Sequence, residues 1–381
     1  MLLSSAYWDG GGDGTNWNDP LNWSGDALPG AADDVTINVA ANPTIRLTSG
    51  DQSIASLVSD ELLVLQGGTL AVDTTVQLSA DLTLAGGTII GGTVGGTGGT
   101  KLICTPSGGT LDGVTLNTNL DLTGDYSYAN VVNGLTLNGT ATLGYQARIY
   151  FNGGSQTLGG MGTVVFNNCP NQALVANANG MTLTIGPNIT IRGGNGWVNN
   201  NTWTGSLIGY SNWVGGGLNA SVVNQGMIIP DVSGTSIVIN PSGTFTNQGT
   251  MGASNGGTLY INGMTGNVGA TLLSGSGSHL WLYGTYVIAP EIAAPAGTTL
   301  SLNGNWSNAG GITTTSATLN LGGRFTVAGL GTLNRSGGTV NLTGTLDNWS
   351  PAAPGNLAVN AAAAEFVIFG WQDHSDNEDG F

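Results

Sequence analysis

The chain is short of charge, and shortest of positive charge. Six Lys and Arg stand against 22 Asp and Glu in 381 residues, a formal net charge of −16. Charged residues make up 7% of the chain, where soluble domains usually carry about 25%. A nucleic-acid ligand needs clustered Lys and Arg to neutralise phosphates, so that class of partner is excluded. Long apolar runs are also missing. None reaches the roughly 18 residues of a membrane-spanning helix. Cysteine is nearly absent: Cys104 and Cys169 are the two present, and they say little about redox compartment. What the chain has in excess is glycine, 66 residues. That excludes long helices and coiled coils, and the lack of a three-residue Gly period excludes collagen. Hydrophobic residues at 40% suffice for a core, which argues against disorder. An all-β chain with many turns remains.

A repeat gives that chain its organisation. Leu62, Leu82, Leu102 and Leu122 fall on a 20-residue period, with Glu61, Asp81, Lys101 and Asp121 in the column before. Leu70, Ile90 and Leu111 form a second apolar column. Further on, Ile237, Leu259, Leu280, Leu300, Leu319 and Val340 recur at 19 to 22 residues. Each sits in a short alternating segment, such as Thr299-Leu300-Ser301-Leu302, the pattern of a strand with one face buried. Gly-Gly-Thr recurs eight times, with Gly at the corner and Thr opening the next strand. Asn-Gly and Asn-Gln-Gly do similar work at Asn138, Asn224, Asn247, Asn262 and Asn303. A period near 20 is too short for a propeller blade and describes the coils of a β-solenoid, in which each coil buries its apolar side against the next. Val35 to Leu346 then makes about 15 coils and about 70 Å of rod at about 4.8 Å per coil. Stacking explains the scarcity of charge, since like charges in register repel. The two Cys lie about three coils and roughly 14 Å apart, too far for a disulfide.

The ends depart from this pattern. Residues 1–34 carry Trp8, Trp17 and Trp23 in a polar, Gly-rich stretch and read as an N-terminal cap over an otherwise open edge. Its acids Asp9, Asp13, Asp19, Asp33 and Asp34 have two readings: acceptors in Asx-type turns, which we favour, or ligands for Ca²⁺, a hard cation that wants several oxygens. Met1-Leu2-Leu3, followed by Ser4-Ser5-Ala6, is too short for a secretory h-region, so the expectation is a removed leader or a record that begins inside a longer chain. Beyond the array, 348–354 reads as a Pro/Ala linker. The expected division is therefore a cap at 1–34, solenoid at 35–347, linker at 348–354 and a separate segment at 355–381.

The Trp-rich opening and the later Asn-Gln-Gly-Thr and Gly-Gly-Thr-Leu coils resemble those of large secreted bacterial repeat proteins of the autotransporter-passenger and adhesin type. That resemblance implies a parallel β-helix, right-handed, outside the cell; periodicity by itself shows no hand. Pro354, Leu357, Val359 and Trp371, with the turn Asn377-Glu378-Asp379-Gly380, resemble the first two strands of a fibronectin type III domain. Such a domain needs about seven strands, so 355–381 would be a partial β-sandwich that continues in a longer protein; a terminal hairpin docked on the last coil is the alternative.

An enzyme would need more chemistry than the chain displays. Between Tyr126 and Pro290 the one acid is Asp231, the cations are Arg148 and Arg192, and the one His is His279. Glycoside cleavage needs paired carboxyls, and lyase chemistry a base with cations to stabilise an enolate. The best acidic group, Asp112, Asp121 and Asp125 with Lys101, reads as turns and strand ends. The irregular stretch Gly193–Gly217 holds Trp197, Trp203, Tyr210 and Trp213 among several amides. These four aromatics are the candidate carbohydrate-binding residues, because pyranose C–H faces stack on rings and amides meet hydroxyls; a loop packing its own aromatics on the flank is the plainer reading. The expected function is a non-enzymatic extracellular or cell-surface rod, structural or adhesive. A carbohydrate-binding β-helix is the alternative and a polysaccharide lyase or glycosidase the further one. The expected partner is a polysaccharide or a cell surface.

Overall fold

A computed structural model describes residues 4–196, 205–347, 355–363 and 366–372, the last two as backbone. The array is a parallel β-solenoid of about 15 turns of roughly 21 residues, and every strand pairing within it is parallel. Each turn contributes one short strand to each of three faces. The first turn shows the order: Asp33–Ile37, then Thr44–Leu47, then Asp51–Ile54. Its strands pair with Ser56–Ser59, Leu62–Leu65 and Thr69–Val72 of the next turn. Longer strands such as Tyr128–Leu137, His279–Ile288 and Thr299–Asn308 run from the third face of one turn round the corner into the first face of the next.

Alternation drives the burial. Along Thr318–Leu321 the pattern is half-buried, buried, half-buried, buried, because successive side chains of a strand point to opposite sides. The inward residues of all three faces form one core cluster from Ala6 to Phe325, each large aliphatic contributing about 1.5–3 kcal/mol. The column Ile237, Leu259, Leu280, Leu300, Leu319, Val340 pairs residue for residue in that register. Gly-Gly-Thr behaves as expected at six of its eight occurrences, where Thr69, Thr88, Thr93, Thr110, Thr258 and Thr339 each open a strand; Gly95 and Gly96 instead lie inside a strand, and neither Thr97 nor Thr100 opens one.

The strict 20-residue columns of the N-terminal half need correction. The aligned leucines are Leu63, Leu82, Leu102 and Leu120, and Leu70 aligns with Ile89, then Leu111. Leu62 and Ile90 are exposed. Coil length varies because corners absorb a residue more or less, and a shift of one puts a side chain on the opposite surface. The charge column holds only in part: Asp81 stays in register with Lys101 and accepts its amide at 2.8 Å, while Glu61 and Asp121 fall out of line. Lys101 faces Asn119, and its ammonium reaches Asp121 diagonally at 2.9 Å. Glu61 is buried, with one oxygen accepting the Val39 amide at 2.6 Å. Cys104 is buried, Cys169 half-buried, and both are free thiols.

At the N-terminal end, Ser4–Tyr7 adds a parallel strand beside Asp33–Ile37, while Thr15 to Trp17 bonds to Arg46 on the second face. Trp8, Trp17 and Trp23 are buried, with Trp23 edge-on to both others at 4.9 Å and its indole N–H donating to the Trp17 carbonyl at 2.8 Å. They join the same core as the coils. At the other end, Gly355–Ala363 and Phe366–Gln372 pair antiparallel as a two-stranded sheet of their own.

Candidate functional site

The third face changes character midway along the rod. Its outward residues at Ala173, Val175 and Leu207 are apolar and buried, forming a small cluster outside the main core with Tyr150 and Val214 against it. What buries them is an excursion of the chain. From Ile191 to its partner Ile228 on the second face is 37 residues, so this coil carries an insertion that folds back over the flank.

That excursion is braced. The Asn195 and Ser236 backbones exchange two hydrogen bonds of 3.0 Å, and the Gly196 amide donates to Asn168 Oδ1 at 2.9 Å. The Tyr210 amide donates to the Asn240 carbonyl at 2.8 Å, and Asn240 Nδ2 returns a 2.8 Å bond to the Tyr210 carbonyl. Ser211 and Gly215 then pair as a miniature hairpin with Asn212 and Trp213 at its tip. The far side is tied by Gly217 N–H to the Ala176 carbonyl and Leu218 N–H to Asn179 Oδ1, each 2.8 Å.

Between this hairpin and the third face lies a cleft of about 950 Å³. Tyr210 and Trp213 line it. Trp197 and Trp203, the other two expected ligand-binding aromatics, lie outside the described residues. Trp213 is 83% exposed, and the Tyr210 hydroxyl donates to Asn212 Oδ1 at 2.8 Å. Across the cleft, Asn240, Asn262 and Tyr283 follow the aligned residues Ile239, Ile261 and Leu282 on three successive coils. Tyr283 is half exposed and stacks on Trp281 with centroids 5.8 Å apart and planes 10° apart. Trp281 meets Tyr260 edge-on at 6.1 Å. Trp281 and Tyr283 stand outside the aromatic group that the sequence singles out. They are strand residues, and their column borders the cleft; the cross-coil register was the signal that could have connected them to the loop.

Among the described residues no charged side chain lines the cleft. His279, on the same face, bonds through Nε2 to Ser301 Oγ at 2.8 Å, and burial pushes its imidazole below the ordinary value, toward the neutral form. An open hollow of about 440 Å³ lies nearer the C-terminal end beside stacked Trp306 and Phe325, and the ion pair of Arg324 with Asp347 borders it.

The acids do not assemble. Asp112 lies on a third-face strand and accepts from Asn133 Nδ2 at 2.6 Å. Asp121 lies on the second face. Its partial burial opposes ionisation, and bonds from Thr123 and Lys101 outweigh that, holding the carboxyl below its usual range. Asp125 follows in the corner between Asn119–Leu122 and Tyr128–Leu137. In the cap, Asp9 Oδ1 accepts the Gly11 amide, Asp13 Oδ1 the amides of Thr15 and Asn16, and Asp33 Oδ2 the Gly30 amide. Asp34 Oδ1 accepts the Ser56 hydroxyl. These contacts are those of Asx-type turns and strand partners. Among the described residues no three His, Cys, Asp or Glu side chains converge to hold a metal ion, so the Ca²⁺ candidates Asp9, Asp13, Asp33 and Asp34 form no such group.

Compared with known protein families, curated proteins and solved structures, the chain matches none of them. Neither the autotransporter-passenger and adhesin resemblance nor the fibronectin type III resemblance is supported by such a match, and the demonstrated identity of the chain is that of a three-faced β-solenoid repeat protein.

Proposed function

We propose that the chain is a non-enzymatic, extracellular or cell-surface β-helical rod that carries an adhesive flank. The observation that supports this is the single core running from Ala6 to Phe325. A stack with one uninterrupted core is stiff along its axis, because bending it would separate coils packed at interior density. About 15 coils at about 4.8 Å give about 70 Å of spacer. The adhesin resemblance agrees with that role, and the antiparallel pair at 355–372 agrees with the opening strands of a fibronectin type III-like module.

The lyase or glycosidase reading lacks a comparable support, because Asp112 and Asp121 occupy different faces and cannot flank one bond. Small-angle scattering on the purified chain should report an elongated monomer. A compact particle, or release of oligosaccharide from polysaccharides incubated with the protein, would overturn the proposal.

A further inference from the structure

We infer that the cleft between the Trp213 hairpin and the third face binds an uncharged glycan chain, lying along the rod axis. The inference rests on reading the flank as adhesive and specifies what it adheres to.

Three observations carry it. The first is Trp213. A residue 83% exposed adds little to the core, yet its hairpin is tied down on both sides and packed through Val214 onto the flank cluster. A rigid aromatic presented to solvent at low entropy cost suits recognition of a partner. Tyr283 faces the same cleft, half exposed and held in orientation by stacking on Trp281. Two fixed rings bordering one cleft can take the C–H faces of a pyranose chain.

The second is the polar complement. Asn171, Asn212, Asn240 and Asn262 line the cleft. A carboxamide both donates and accepts, which matches neighbouring sugar hydroxyls. Asn212 and Asn240 are already oriented by Tyr210. The third is neutrality. Among the described residues no charged side chain lines the cleft, so its walls offer no cation to pair directly with a uronate, sulfate or phosphate. The volume, about 950 Å³, is at the upper end of the roughly 300–1,000 Å³ usual for ligand sites, which suits several linked rings rather than one. Asn240, Asn262 and Tyr283 step along three coils, so the occupant runs with the axis.

The test is binding of the full chain to a panel of neutral oligosaccharides (glucans, mannans, xylans) beside oligogalacturonate and heparin, read by calorimetry, with thermal melting of every variant. The expected result is binding to at least one neutral glycan, insensitive to added salt. Trp213→Ala and Tyr283→Ala should each weaken it about tenfold or more at unchanged melting temperature, and Trp213→Phe should recover part of the loss. Preference for the acidic ligands, or neutral-glycan binding untouched by both variants, would overturn the inference. So would adhesion to cells or matrix that the variants abolish without any glycan binding, since that outcome points to a protein partner and leaves the adhesive rod standing. Failure of the wild-type chain to bind glycans, cells or matrix would remove both readings.

Discussion

Carbonyl oxygens of the coil beneath decide which residues a corner tolerates. Gly304 has φ of +84°, and a Cβ there would run into the Gly284 carbonyl oxygen; Gly323, φ +68°, stands in the same relation to Gly304. Left-handed backbone and close approach coincide, so only Gly serves. Gly304→Ala should destabilise the chain by about 1–3 kcal/mol, measurable as a lower urea midpoint. Cysteine gives a second residue-scale prediction. Burial first, and the charge of Asp121 second, push the Cys104 thiol up to about 12. Because the thiolate is the reactive form, a folded sample at mildly alkaline pH should be alkylated at half-buried Cys169 and spared at Cys104; equal labelling would contradict the buried placement. Much of this scale was legible beforehand. Gly-Gly-Thr located corners because Gly and Thr act locally. Leu62 and Ile90 were misplaced because the choice between inside and outside turns on a single residue of register, which composition does not record.

At the scale of the element, amides replace charges as the ladder that ties coils together. Asn177 Nδ2 donates to Asn152 Oδ1 at 2.7 Å and Asn152 Nδ2 to Asn130 Oδ1 at 2.9 Å. Asn341 donates to Asn320 and Asn320 to Ser301. A carboxamide can donate to the coil before and accept from the coil after, so a column of them is self-consistent where a column of like charges is not. The cap uses carboxylates instead. The amides of Asn16 and then Thr15, with Asn22 Nδ2, hold the Asp13 carboxyl below its ordinary 3.8. A depressed carboxylate stabilises the folded cap above the unfolded pKa and loses that contribution as pH falls through the folded one. Protection of the Thr15 and Asn16 amides from hydrogen exchange, expressed as opening free energy, should therefore be flat above about pH 5 and decline below 3.8. Asp13→Asn should remove the decline. Three Trp in a polar stretch set the N-terminal segment apart in the sequence. That Trp23 is wholly buried between the other two depends on the first coil being in place beneath it.

The whole molecule is quasi-one-dimensional, and its stability should vary along its length. Leu300 is fully buried between neighbouring coils, while Leu342, in the terminal turn of the array, is 61% exposed. Leu300→Ala should cost about 2–5 kcal/mol, and Leu342→Ala should stay within about 0.5 kcal/mol. Hydrogen exchange should show the central coils most protected and 333–347 least; uniform protection along the array would refute a stack of nearest-neighbour units. Charge belongs to this scale too. Three of the six cations pair with carboxylates, at Lys101, Arg192 and Arg324, so little positive potential is left to attract polyanions.

The sequence by itself determined the short strands and the stacked coil, because these follow from period-2 alternation, corner residues and the avoidance of stacked charge, all local or nearly local. It also marked the irregular stretch with Tyr210 and Trp213. Only the tertiary structure decided the true register of the N-terminal coils and which residues meet across the cleft. Tyr210 and Tyr283 are 73 positions apart, and they line one cleft because an insertion folds back across several stacked coils. Contacts of that kind follow from where the insertion docks, which the repeat pattern does not encode.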